Sequence, residues 1–398
     1  MSGHDLHQPT APASWRVVSA GVGAVAVGYG LARYGYGLFL PDLRAAFGLS
    51  SAALGLIAST AYASYLLAVG SAGALSVRFG PRLVVVAGGT LAVAGMVVIA
   101  LAPSGLVLAA GVFIAGASGG LVFPPFADVV VELLPLRSQS RALATISSGT
   151  GWGVLAAAPL ALLAGDAWRV AWLAFTVVAV LATLWAARSL PARLGDTAER
   201  GPGERLQVSW FLCPRSGPLL AGALLVGLAA SVYWTFAVDL ADQAGLGRDG
   251  ARVLLGVVGA ASIAGSLGGD LLERLGGRSA LALGAVGMAG ALALLAGSGS
   301  GWLGAVVSAA AFGAAYNLIV ALQTIWSARV FADRPAVGLG AVMFVLSVGL
   351  LAGPPLAGAL ADGASLSAAF YVAAGLCAAT VLFMPREDIR ATAAARPR

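Results

Sequence analysis

Arg33 stands alone among apolar residues, about sixteen positions into the first hydrophobic stretch of the chain. A central arginine in a spanning helix costs roughly 2.5–3.5 kcal/mol on insertion scales, so such a residue faces a cavity and finds a partner. Tyr29, Arg33 and Tyr36 are spaced i, i+4 and i+7, which predicts one helix face carrying a cation flanked by phenols. Guanidinium pairs bidentately with carboxylate or phosphate, so an anionic substrate group fits that face. Two readings compete with substrate contact. One is a fixed ion pair inside the protein, with Asp239 as the partner. The other is snorkelling of the long side chain to the outer interface.

Further residues within apolar stretches are candidates for the same cavity: Tyr62, Tyr65, Trp152, Tyr233, Trp234, Asp239, Tyr316, Asn317 and Gln323. Aromatic residues also anchor helices at membrane interfaces and pack cores. Asn317 and Gln323 carry more weight, because buried amides need partners. Asp128 and Asp239 are the candidates for proton coupling. For Asp128, one helical turn before Glu132, an ion pair at the inner end of its span is the competing reading.

Enzymatic chemistry lacks its parts. Both histidines, His4 and His7, precede the first apolar stretch, and Cys213 and Cys377 lie far apart. A zinc site or a Ser-His-Asp arrangement within the apolar stretches cannot be assembled from these. The 23 basic residues are all arginine, so a phosphate-binding loop with its lysine is excluded, and ATP-driven transport by this chain with it. No catalytic residue, cofactor or metal is expected, and the chain reads as something other than an enzyme.

The elements that hold these residues follow from composition. The 398 residues are 59% hydrophobic and 10% charged, with mean hydropathy +0.92. Soluble domains are about 45–50% apolar and about 25% charged. Such a chain must expose apolar surface, and its surroundings are lipid. Polar, Gly and Pro breaks divide it into twelve stretches of spanning length, from 17–40 to 366–384. The first is too long for a signal-peptide core and is expected to remain as an uncleaved helix. With the N-terminus inside, eighteen of the 23 arginines fall in inside segments; Arg44, Arg169, Arg248 and Arg252 fall outside. That bias predicts both termini in the cytoplasm, and it reads the net charge of +6 as topology rather than nucleic-acid binding.

The chain repeats itself. Gly73-Ala-Leu-Ser-Val77-Arg78-Phe-Gly80-Pro-Arg82 recurs 196 residues later as Gly269-Asp-Leu-Leu-Glu273-Arg274-Leu-Gly276-Gly-Arg278. Pro159 and Pro355, and Asp166 and Asp362, keep the same offset, while Asp42 and Asp239 keep it within one residue. The predicted division is a tail over 1–14, a six-helix bundle over 15–190, a central loop over 191–215, a second bundle over 216–385 and a tail over 386–398.

These paired G-x-L-x-x-R-x-G-x-R loops, the 6+6 layout and the central loop resemble the major facilitator superfamily of secondary transporters. Glu132-Leu-Leu-Pro135 with Arg137 and Arg141, Trp168-Arg169, and the Gly349–Gly358 run with Gly353-Pro354 add to the resemblance. Val77 stands where the family usually has aspartate, and span four lacks the arginine of typical proton-coupled drug antiporters. The resemblance implies an all-α membrane protein of twelve transmembrane helices in two pseudo-symmetric bundles. It implies alternating access around a midplane site, with protons as the coupling ion. Gly73, Arg78, Gly80, Arg82, Glu132 and Arg141 would then work as a gate with Gly269, Glu273, Arg274, Gly276 and Arg278. Glu132 is the expected partner of the first loop. The expected function is movement of a small organic solute, with a bias to an organic anion, across the inner or plasma membrane. Efflux of lipophilic drugs by proton antiport and a non-transporting membrane sensor are the alternatives. The expected partners are the lipid bilayer, the solute and protons, not nucleic acid, and the chain is expected to be a monomer. The absence of lysine suggests a bacterial genome rich in G and C.

Overall fold

A computed structural model describes residues 11–194, 216–265, 276–297 and 301–384. Gly269, Asp270, Glu273 and Arg274 lie outside the described residues. Among the described residues every regular element is helical. This is the solution lipid demands, because a helix satisfies its own backbone polar groups.

The first span departs from a continuous helix over 17–40. It opens as α1 (Ala11–Val25), passes through a π-helical turn over Ala26–Leu31, turns again, and continues as α2 (Gly35–Leu38) and α3 (Leu40–Phe47). Within the break, Ala32 N–H donates to the Val27 carbonyl at 2.8 Å, and Tyr34 N–H to the Tyr29 carbonyl at 3.1 Å. These five-residue spacings widen the helix at Arg33. Close packing accompanies the break: a Cβ at Gly30 would strike the Gly153 backbone, and one at Gly37 the Trp234 carbonyl.

The remaining helices are α4 (Ser51–Phe79), α5 (Pro81–Leu101), α6 (Gly105–Leu133), α7 (Leu136–Ala164), α8 (Trp168–Ser189), α9 (Ser216–Ala241), α10 (Gly247–Gly265), α11 (Gly277–Ala296), α12 (Gly301–Val330), α13 (Pro335–Gly363) and α14 (Leu366–Ala379). Among the described residues ten helical stretches are long and apolar enough to cross a membrane; one of them, Ser216–Ile263, has 48 residues. That one bends at Gly245 and Gly247, whose φ values of 91° and 70° suit glycine alone, and so contains both α9 and α10. With the broken first span, these segments fit the twelve-span layout.

The sequence repeat is visible in the backbone. Gly80 and Gly276 each precede a helix, with φ/ψ of 85°/154° and 82°/156°. On the division predicted from the repeat, each half lays its second span along the other's fifth: α4 runs along α13, and α10 along α7. Small residues make both seams close. A Cβ at Gly55 would meet the Pro354 carbonyl, and one at Gly259 would meet the Leu155 backbone. Ser59 Oγ donates across the first seam to the Leu351 carbonyl at 2.6 Å.

Candidate functional site

Arg33 is 6% exposed and sits in a box of tyrosines. Its guanidinium carbon lies 4.3 Å from the Tyr62 ring centroid and 4.4 Å from that of Tyr65, with Tyr34 at 5.6 Å and Tyr29 at 5.9 Å. The π-turn and the turn after it supply Tyr29 and Tyr34, and α4 supplies Tyr62 and Tyr65 one turn apart. The Tyr29 hydroxyl donates to that of Tyr65 at 3.4 Å. Ring faces attract a cation by about 2 kcal/mol or more when desolvated. They offer no acceptor, and Nε and Nη2 of Arg33 are buried without a hydrogen-bond partner. A narrow cleft adjoins the guanidinium; Arg33, Tyr34, Tyr36, Tyr62, Trp234 and Thr235 are among its lining.

The predicted face of Tyr29, Arg33 and Tyr36 is corrected in part. The break after Leu31 brings Tyr34 over the guanidinium, whereas the Tyr36 hydroxyl donates to the Leu54 carbonyl at 2.9 Å. The predicted ion pair between Arg33 and Asp239 does not form. Asp239 accepts from Arg44 Nη2 at 2.6 Å instead.

That pair belongs to a cluster closing one end of the bundle. Arg252, with a side chain 1% exposed, holds Asp42 at 3.0 Å and Asp249 at 3.1 Å. Arg248 reaches Asp42 at 3.3 Å and Asp166 at 3.4 Å. Asp362 accepts from the backbone N–H groups of Ser51 and Ala52, each at 2.9 Å, at the start of α4. Anions are favoured at a helix N-terminus, where four N–H groups lack intrahelical partners. The repeat markers Asp42 and Asp239 thus each take an arginine from the opposite half. Sequence reading assigned Arg44, Arg248 and Arg252 to outside segments only. Their usable signal was Asp42, an acid among apolar neighbours at the repeat offset of Asp239.

The other candidates scatter. Tyr233 is fully buried, stacks on Phe312 with centroids 3.9 Å apart and shares a 3.0 Å hydrogen bond with Ser308, so it belongs to a helix-packing core. Tyr316 continues that aromatic stack and meets Trp234 edge-on at 6.0 Å. Asn317 donates within its own helix to the Gly313 carbonyl at 3.2 Å, which satisfies its amide without a ligand. Gln323 is buried, with Oε1 unpartnered, and its amide nitrogen lies near Gly222, away from the cleft. Trp152 is 50% exposed and does not line the cleft.

At the end opposite the ion pairs, Arg78, Arg82, Glu132, Arg141 and Arg278 are exposed. Arg78 lies over the Phe79 ring at 5.1 Å, and among the described residues it makes no ion pair with the expected Glu132. Among the described residues, a Cβ at Gly73 would meet nothing within 4 Å. The seam between α7 and α10 shows the same polarity. It is closed from Ala161 to Gly151, and beyond it Ser147, Thr145, Ala144 and Arg141 are exposed.

A multi-pass helical bundle, held together at one end by ion pairs between its halves and carrying a buried cation, has the architecture of a membrane transporter. A family model of the Major Facilitator Superfamily matches residues 22–313 and 219–396, and the chain belongs to that superfamily. It is 32% identical over 385 residues to monocarboxylate transporter 11 of Homo sapiens, across 89% of this chain and 79% of the relative. It is 25% identical over 307 residues to the purine ribonucleoside efflux pump NepI of Salmonella paratyphi B, across 76% of each. The crystal structure of a D-xylose-proton symporter superposes with TM-score 0.74 at 17% identity, covering 95% of this chain and 98% of the symporter. The protein is a multi-pass membrane transporter and not an enzyme.

Proposed function

We propose that the chain moves a small organic anion by alternating access, with the anion bound at Arg33. The observation that carries this reading is the buried guanidinium with two nitrogens free of partners beside a cleft. A membrane-buried cation with two unpartnered nitrogens and no carboxylate beside it is incomplete until an acceptor arrives, and a carboxylate matches its fork. The carboxylate-carrying solute named for its monocarboxylate-transporter relative supports that choice. Following the arginine bias, both termini lie in the cytoplasm of the cell membrane. The ion-paired end then faces outward. Proton coupling is part of the proposal, with Asp128 and Asp239 as the carboxylates to test.

The experiment is ligand-induced thermal stabilisation of the purified protein, wild type and Arg33→Ala in parallel, against organic anions, neutral sugars and lipophilic cations. Stabilisation by anions that disappears in the variant is the expected outcome. Retained anion binding in Arg33→Ala overturns the site. Stabilisation by lipophilic cations, unchanged in the variant, moves drug efflux into first place.

A further inference from the structure

Trp234 shares the Arg33 cleft and shares its defect. It is 3% exposed, its indole Nε1 is buried without a hydrogen-bond partner, and it lines the same space as Arg33. An unsatisfied buried donor is destabilising, and two such groups beside one cleft mark a place for an acceptor. The two donors arrive from opposite halves of the repeat, Arg33 from the broken first span and Trp234 from α9. Their positions are fixed by a stack of Tyr34 on the indole, with centroids 4.0 Å apart and planes at 21°, while Tyr34 also flanks the guanidinium. The close approach of Gly37 to the Trp234 carbonyl pins the two helices together at this level.

Charge then sets the ligand. The neighbouring arginines Arg44, Arg248 and Arg252 are each committed to carboxylates. Asp239, five residues after Trp234, is itself neutralised by Arg44. The cleft therefore offers one positive charge and one neutral N–H, both donors only, beside the hydroxyl-bearing Tyr34, Tyr36, Tyr62 and Thr235. We infer that the substrate is a small monoanion whose single carboxylate bridges Arg33 and the Trp234 indole N–H. The carboxylate thereby clamps the two halves together across the Tyr34–Trp234 stack. A second carboxylate would enter a buried site with no counter-charge, and an amide would bring no charge to the guanidinium. This inference rests on Arg33 as the anion site and names the substrate class and the second contact.

The test uses full-length protein in detergent. The probes are acetate, lactate, butyrate and benzoate, their amides, and the dicarboxylates malonate and succinate, with affinity read from thermal shift and calorimetry. At least one monocarboxylate is expected to bind, with its amide and both dicarboxylates at least about tenfold weaker. Trp234→Phe keeps a ring for the stack and deletes the N–H. A hydrogen bond to a charged group is worth about 1.5–3 kcal/mol, so binding is expected to weaken about ten- to hundredfold. Trp234→His returns a ring N–H and is expected to recover part of the loss. It also serves as the readout, carboxylate against amide, if Trp234→Phe does not fold. Unchanged affinity in Trp234→Phe, or a dicarboxylate bound as tightly as the best monocarboxylate, overturns the clamp. So does silence from all four monocarboxylates. Loss of binding in Arg33→Gln with no loss in Trp234→Phe fells the clamp alone, whereas full binding in Arg33→Gln fells the anion site beneath it.

Discussion

Arg33 and Arg252 are both buried arginines in apolar surroundings, and the protein completes them in opposite ways. Arg252 meets two carboxylates and the Ala161 carbonyl, and beside it Arg248 shares Asp42. Arg33 meets four tyrosine faces and leaves two nitrogens unpaired. The first arrangement is charge-neutralised, although the Arg252 Nε too is buried without a partner, and it holds one end of the bundle shut. The second is unfinished and adjoins a cleft. Within one chain, the presence or absence of a carboxylate partner separates a structural cation from the one proposed to bind the substrate.

The comparison is open to breakage at several points. Arg252→Gln leaves Asp42, whose side chain is 2% exposed, with only the half-exposed Arg248. Breaking a buried pair by removing one partner costs about 3–5 kcal/mol, so a large drop in the thermal unfolding midpoint is expected. Arg33→Gln removes an unpaired charge and is expected to lower that midpoint far less, while abolishing anion binding. Equal losses in the two variants would erase the distinction.

Gly55→Leu sharpens the role of the seam. A side chain there collides with the Pro354 carbonyl, and overpacking of this kind costs typically about 1–3 kcal/mol. Hydrogen exchange at Ser51 and Ala52, whose amides are held by Asp362, should accelerate as the closed end loosens. Anion binding at Arg33 should persist while transport falls.

Arg44→Gln is expected to have a smaller effect than Arg252→Gln. The Arg44 side chain is 29% exposed, so water can approach the vacated side of Asp239. A loss of about 1–2 kcal/mol in chemical denaturation is the expected result. Asp166→Asn closes the series. Its side chain is 92% exposed and its ion pair with Arg248 is 3.4 Å long, so no change beyond about 0.5 kcal/mol is expected. A large effect there would make the outer rim of the cluster part of the lock.

Much of this was legible beforehand, for identifiable reasons. Apolar runs of spanning length report helices in lipid, because backbone satisfaction leaves no other open-chain solution. The repeat offset linked Gly80 to Gly276, and these two prove to share one backbone conformation. The cost of a charge in an apolar run singled out Arg33, with Tyr62, Tyr65 and Trp234 among its proposed companions. The partners of the acids were not legible. Asp239 was one reading's partner for Arg33, yet it takes Arg44 instead. Asn317 drew attention as an amide in lipid, yet a carbonyl one turn back satisfies it.

Composition, span length, arginine placement and the duplicated loops are properties of the linear chain, and they determined that this is a helical membrane protein built by repetition. Which arginine is neutralised and which is left free is a property of space. It depends on a helix break near Arg33, on glycine seams that bring α4 to α13 and α7 to α10, and on distances of a few ångströms between residues about 200 positions apart. Coulomb attraction in a low-dielectric interior changes several-fold over such distances. Only the folded structure assigns Arg252 to the lock and Arg33 to the cleft.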